Sequence, residues 1–270
     1  MTFIEQLEQT WARKNSLVCV GLDPALERIP AQVRNQPQPI FAFNKAIIDA
    51  TAEYACAFKP QIAYYAAVGA EGELEQTIAY IHESYPDIPV ILDAKRGDIG
   101  ATATMYASEA FDRYQADAVT VNPYMGGDTL KPFLSHADKG VIILCRTSNP
   151  GAIDFQNVEF NGQKLYQHVA EKAAHDWNGN GNVLLVVGAT YPQELGEVRA
   201  VVGDMPLLVP GIGVQGGDVE QCVKNGKTAA GTGMIVNSSR GIIYAGDGAD
   251  FAEAAGEAAC RLRDEINRWR

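Results

Sequence analysis

The chain has 270 residues, 47% of them hydrophobic and 20% charged, and its 26 glycines and 13 prolines fall well short of a low-complexity composition, so it reads as a globular protein with enough apolar residues for a sizeable core. With 33 acidic against 22 basic residues its net charge is −11, the wrong sign for a protein that tracks nucleic-acid phosphates or an anionic membrane surface. An anionic small molecule is still compatible, because a few cations and backbone N–H groups focused in a cleft outweigh an acidic exterior.

In chain order, an amphipathic segment over residues 3–14 precedes the first of eight short apolar runs rich in β-branched residues: 17–22, 55–58, 90–93, 118–121, 141–145, 183–187, 207–209 and 234–236. Helical periodicity fills several of the intervals, over 41–54, 71–85, 162–177, 193–202 and 217–224, and 250–269 closes the chain. Strands that alternate with helices imply a parallel sheet, and eight repeats within 270 residues predict a single (β/α)8 TIM barrel over residues 1–270, with the N-terminal helix covering its bottom. Two connections are far longer than the usual βα loop of about 2–6 residues, 23–39 and 146–161, and both follow strand C-termini. They are candidate lids or substrate walls on the catalytic face, or irregular surface insertions.

The five cysteines (Cys19, Cys56, Cys145, Cys222 and Cys260) are odd in number and contain no C-x-x-C pair, so they read as small buried hydrophobes in a reducing compartment. The start of the chain lacks a basic region followed by an apolar one, and no apolar run approaches the ~20 residues of a membrane span, so the expected location is the cytoplasm.

The most informative stretch is Val90-Ile91-Leu92-Asp93-Ala94-Lys95-Arg96-Gly97-Asp98-Ile99-Gly100, a strand that ends in charge. If extended geometry continues, Asp93 and Lys95 point to the same side with Cα atoms ~7 Å apart, toward the barrel interior or its mouth. A buried carboxylate and ammonium are expected to compensate each other. Asp98 follows a glycine turn, from which its carboxylate returns to Lys95 or reaches another chain. A second lysine, Lys59, ends the preceding strand in Ala55-Cys56-Ala57-Phe58-Lys59-Pro60, so cations and carboxylates alternate. Carboxylates favour a charged lysine, which suits an electrostatic stabiliser and proton donor and works against a Schiff base. The plainer reading is an ion-pair network at the barrel rim.

These residues carry a resemblance. Asp93-x-Lys95-x-x-Asp98, preceded by Val20-Gly21-Leu22-Asp23 and Lys59 and followed by Pro210-Gly211-Ile212-Gly213-Val214-Gln215-Gly216-Gly217, is similar to the orotidine 5′-phosphate decarboxylase family from Val20 to Arg240. Arg96-Gly97 within the motif matches its longer bacterial branch, where shorter members have Leu-His. The resemblance implies a cofactor-free, metal-free decarboxylation of orotidine 5′-phosphate to UMP and CO2 in pyrimidine biosynthesis. The lysine matching Lys95 protonates C6 and stabilises the carbanion there, and Asp93 holds that lysine. Asp98 and Ile99 match residues contributed across a homodimer interface, with Thr102 following toward the ribose, so each site is shared. Asp23 and Lys59 match ribose-binding and network positions, Thr147 and Ser148 the segment that recognises the pyrimidine edge, and Gln215 and Arg240 the phosphate ligands.

Residues 210–217 follow the seventh strand and lead into a helix, so their backbone N–H groups suit a phosphate dianion, and Arg240 after the eighth strand offers a guanidinium that binds two phosphate oxygens. Gly211-x-Gly213-x-x-Gly216 is also a literal dinucleotide fingerprint, but it lies late in the chain, away from the early βαβ unit that reading requires. His168 and His175, seven apart with Glu171 between them, read as solvated helix surface and not as a metal site. Glu109 and Arg113 read as an i,i+4 surface ion pair. Asn122, at a strand end, faces the ligand or ties down its loop. The rival functions are a sugar-phosphate decarboxylase or aldolase on the same barrel, marked by metal dependence or a trapped lysine adduct, and a non-catalytic sensor of a phosphate ligand.

Overall fold

The computed structural model describes residues 1–212 and 218–270. All eight predicted strands are present: β1 (Val18–Leu22), β2 (Ala57–Pro60), β3 (Ile91–Arg96), β4 (Ala118–Val121), β5 (Gly140–Arg146), β8 (Val183–Val187), β9 (Leu207–Pro210) and β10 (Met234–Ser238); β6 (Glu159–Phe160) and β7 (Gln163–Lys164) form a separate antiparallel hairpin. Parallel pairing runs β2-β1-β10-β9-β8-β5-β4-β3, and bridges Phe58–Val90 and Gln61–Asp93 join β2 to β3, completing the (β/α)8 ring. The strands are buried on both faces because Val, Ile and Leu fill the barrel and also support the outer helices, which accounts for their continuous apolar runs.

The N-terminal helix, Phe3–Lys14, has the predicted bounds and starts with a capping box in which the Thr2 hydroxyl accepts from the Glu5 N–H and the Glu5 carboxylate accepts from the Thr2 N–H. It lies across the bottom of the barrel. The Phe3 N–H donates to the Asp138 carbonyl, and a Cβ on Gly140, at the start of β5, would meet the Phe3 ring at 2.5 Å, so this close approach needs glycine.

Two helices carried no clear sequence signal. Gly100–Ser108 is built from small residues without an apolar stripe and buries only Ala103 and Ala107; Gly127–Leu134 begins at a Gly-Gly pair and contains Pro132. The first continues as a π-helical turn, Glu109–Arg113, whose wider winding separates the expected Glu109–Arg113 pair. Glu109 instead takes a two-pronged bond from Arg96 at 2.8 and 3.0 Å, and Arg113 pairs with Glu75 at 2.7 Å, so this segment fastens β3 to its helix and to the helix before it. The long connections also contain structure. Residues 23–39 include the turns Leu26–Arg28 and Ala31–Arg34, and 146–161 includes Pro150–Asp154 and the first strand of the hairpin.

All five cysteines are free, four buried and Cys260 half-buried, and burial pushes the Cys19 thiol up to about 12. His168 and His175 are exposed, and no cluster of metal-ligating side chains occurs among the described residues. Among those residues no helix is long and apolar enough to cross a membrane.

Candidate active site

The C-terminal ends of the barrel strands surround a pocket of about 650 Å³, within the ~300–1,000 Å³ usual for small-molecule sites. Its charged floor comes from neighbouring strands. Lys59 on β2 is 3% exposed and donates to Asp93 Oδ2 at 2.8 Å, while Lys95 on β3 donates to Asp93 Oδ1 at 2.6 Å. Burial alone would raise the Asp93 pKa, but the charges and hydrogen bonds of the two ammonium groups hold it well below the usual carboxylate range. Burial alone would lower the Lys59 pKa, but the negative charges of Asp93 and Asp23 hold it above the usual lysine range. The floor therefore carries two cations around one obligatory anion. Lys95 is half-exposed and lines the pocket, so its ammonium is accessible to a ligand while tied to Asp93.

Extended geometry does not continue through Lys95. Its φ is +47°, a left-handed conformation that disfavours side chains, and the β3–β4 register shifts between Leu92 and Arg96. The Asp93–Lys95 contact forms through this bulge, not through strand alternation.

A second group of polar atoms lies farther round the pocket. Asp23 follows β1, and its loop is held by Tyr244, whose hydroxyl donates to the Asp23 carbonyl and accepts from the Ala25 N–H. Asp23 Oδ1, Asn237 Oδ1 and the Ser239 hydroxyl are buried without a partner among the described residues, and all three residues line the pocket. Gly21 allows β1 to approach Ser239 closely, since a Cβ there would stand 2.7 Å from the Ser239 Cβ. Arg240 also lines this part and is exposed; its guanidinium makes no bond to a described residue. Gln215, with the rest of the Gly213–Gly217 motif, lies outside the described residues. The helix expected over 217–224 is seen as Val219–Gly226, capped by the Asp218 carboxylate on the Gln221 N–H.

Thr147 and Ser148 line the pocket beyond β5. Gln156 clamps Thr147 twice, accepting from its N–H and donating to its hydroxyl, both at 2.8 Å. Beneath them Arg146, 2% exposed, is paired with Glu194 at 2.6 Å and donates to the Thr147 carbonyl. Gln156 carried no sequence signal because its role depends on the fold of a long connection. Asn122 ties down its loop: its Oδ1 accepts from the Tyr124 N–H at 3.0 Å.

The remaining sequence-predicted residues are not brought to Lys95 within this chain. The Asp98 carboxylate accepts from the Ile99 N–H, Ile99 is 62% exposed, and Thr102 lines a different surface depression with Met105 and Tyr106.

Comparison with known proteins identifies the family. Residues 16–255 match the family described as Orotidine 5′-phosphate decarboxylase / HUMPS family. The chain is 62% identical to orotidine 5′-phosphate decarboxylase of Ralstonia nicotianae and 58% identical to that of Dechloromonas aromatica, with 100% of each chain covered. Its fold is similar to the solved OMP decarboxylase of Leishmania donovani, with TM-score 0.87 and 42% identity over 99% of this chain and 98% of that one. With these full-length similarities and a charged lysine–aspartate floor, the chain belongs to the orotidine 5′-phosphate decarboxylase / HUMPS family and is a carboxy-lyase within it.

Proposed function

We propose that this carboxy-lyase converts orotidine 5′-phosphate to UMP and CO2 without a cofactor, with Lys95 as proton donor and carbanion stabiliser. The observation that carries the reading is the Lys59–Asp93–Lys95 row on the pocket floor. Loss of CO2 breaks the bond between C6 and the carboxylate carbon and leaves its electron pair on C6, where the pyrimidine ring offers no good π sink. A fixed ammonium beside C6 stabilises that pair as it develops, then transfers a proton to it. Asp93 holds the ammonium in place, and its own negative charge repels the substrate carboxylate until CO2 departs. Lys59 keeps Asp93 ionised. Its raised pKa also opposes a Schiff-base aldolase, which needs an amine with a lowered one.

The other pocket residues suit the rest of the nucleotide. Asp23, Asn237 and Ser239 present polar atoms without a partner among the described residues for ribose hydroxyls or phosphate, Arg240 supplies a guanidinium for phosphate, Gln215 is a second phosphate ligand, and Thr147 and Ser148 meet the pyrimidine edge. Asp98, Ile99 and Thr102 complete the site of a second copy in a cytoplasmic homodimer. That reading is supported by their separation from Lys95 within one chain and by the exposed apolar side chains Ile99 and Met105 beside them.

The test is ultraviolet absorbance of orotidine 5′-phosphate incubated with chelator-treated wild type and with Lys95→Ala. Conversion to UMP by the wild type alone is expected; no conversion by folded wild type would overturn the reading. For the shared site, inactive Lys95→Ala and Asp98→Ala chains are mixed. Recovered activity is expected, and none after demonstrated subunit exchange would count against the crossing of Asp98.

A further inference from the structure

The bulge that carries Lys95 has a single partner on the neighbouring strand. Leu92 pairs with Val119 and Arg96 with Val121, so Asp93, Ala94 and Lys95 all stand opposite Thr120. Its hydroxyl serves all three. It donates to Asp93 Oδ1 at 2.9 Å and accepts from the N–H groups of Ala94 and Lys95 at 3.0 and 2.9 Å. A hydroxyl has one hydrogen to donate and two lone pairs to accept with, so this one is fully used. Thr120 is 1% exposed and does not line the pocket, which keeps it from touching a ligand.

Without that hydroxyl the bulge has no evident support. The Ala94 and Lys95 amides would lose their acceptor, and leaving part-buried N–H groups unpaired favours returning to a regular ladder. A regular ladder would remove the positive φ of Lys95 and change where its ammonium stands relative to Asp93 and the pocket. The same hydroxyl fixes the Asp93 carboxylate oxygen that receives Lys95, so one side chain sets both ends of the contact.

We propose that Thr120 is a positioning residue for Lys95, its hydroxyl holding the strand bulge in the one shape that aims the ammonium into the pocket; this rests on the reading of Lys95 as the proton donor. A hydroxyl is required, and the methyl group serves packing alone.

Thr120→Val keeps the shape and removes the hydroxyl, while Thr120→Ser keeps the hydroxyl. With orotidine 5′-phosphate as substrate, Thr120→Val is expected to lower kcat about 10²-fold with KM within about threefold of wild type, because a small misplacement of a reacting group costs rate more than binding. Thr120→Ser is expected to stay within about threefold of wild type in both constants. If Thr120→Val does not fold, Thr120→Cys replaces it, since a thiol is a poor donor and acceptor, and a kcat at least about tenfold below Thr120→Ser is expected. Valine or cysteine variants that match Thr120→Ser, or a serine variant that falls as far as valine, would overturn the role of the hydroxyl. A wild type that leaves the substrate unchanged would overturn the decarboxylase reading itself, a result distinct from an active wild type with an equally active Thr120→Val.

Discussion

The two ends of the pocket are built on opposite principles. At the Lys59–Asp93–Lys95 end each oxygen of the carboxylate has a donor, two of the three charged side chains are almost fully buried, and a strained backbone is held by Thr120. At the Asp23–Asn237–Ser239–Arg240 end three buried polar atoms have no partner among the described residues and the guanidinium is exposed. The first end is complete before a ligand arrives, as a site that stabilises charge in a transition state must be, because fixed groups need no reorganisation when the charge develops. The second end is completed by its ligand, so binding there supplies energy that helps seat the reacting carbon against the first.

Changes at the complete end should cost most. Lys95→Ala removes both the proton donor and the cation at the reacting carbon, and kcat is expected to fall about 10⁴-fold or more, measured by single-turnover absorbance. Since Lys95 is half-exposed, the folded state should lose little. Lys59→Met is the converse. It leaves Asp93 buried with Lys95 as its one cationic partner and nothing on Oδ2, and breaking a buried pair costs about 3–5 kcal/mol, read from chemical unfolding at neutral pH. The sign with pH follows from the shifts. Asp93 is depressed in the folded state, so its contribution is fully present above its ordinary 3.8 and is lost as pH falls toward its folded value. Lys59 is raised, so its contribution is fully present below its ordinary 10.5 and is lost as pH climbs toward its folded value. The gap between wild type and Lys59→Met should therefore be widest between these limits and narrow in acid. A gap that stays constant from pH 7 to about pH 2 would separate the stability loss from the charge pair.

The contrast also explains what was legible in the sequence. Eight β-branched runs are a periodic signal, and all eight are strands because a two-sided burial demands apolar residues at every position. Asp93-x-Lys95 stood out since charge at the end of such a run has no packing role. Thr120 did not, because threonine is at home in a strand and its importance lies in the bulge opposite, which depends on the register of two strands distant in sequence. The helix Gly100–Ser108 was missed for a related reason: it packs through alanines, and small residues leave no hydrophobic stripe. The unpartnered atoms of Asn237 and Ser239 are equally invisible, because polarity at a strand end does not say whether a partner waits across the barrel.

At the ligand-completed end the effects should be smaller and enter through the hold on the nucleotide. Arg240→Ala removes charge-assisted hydrogen bonds of about 1.5–3 kcal/mol, so kcat/KM for orotidine 5′-phosphate is expected to fall about 10- to 150-fold. With its guanidinium unbonded to the described residues, unfolding stability should be unchanged. A phosphate-free orotidine substrate should show almost no difference between wild type and Arg240→Ala, and an equal loss with both substrates would place Arg240 elsewhere than on the phosphate.

The smallest effect sharpens the comparison most. Ser239 precedes the short helix Arg240–Ile243 yet makes no side-chain cap bond, and its buried hydroxyl has no partner among the described residues. A capping serine replaced by alanine costs about 1 kcal/mol. Here no such bond exists to lose, and removing an unsatisfied buried hydroxyl is neutral or favourable. Ser239→Ala should therefore leave stability unchanged or raise it by up to about 1 kcal/mol, while weakening UMP binding by about threefold to tenfold in calorimetry. A protein that becomes more stable as it binds less well is what a ligand-completed site predicts, whereas a loss of both would mean that this end, like the lysine end, is held together before the nucleotide arrives.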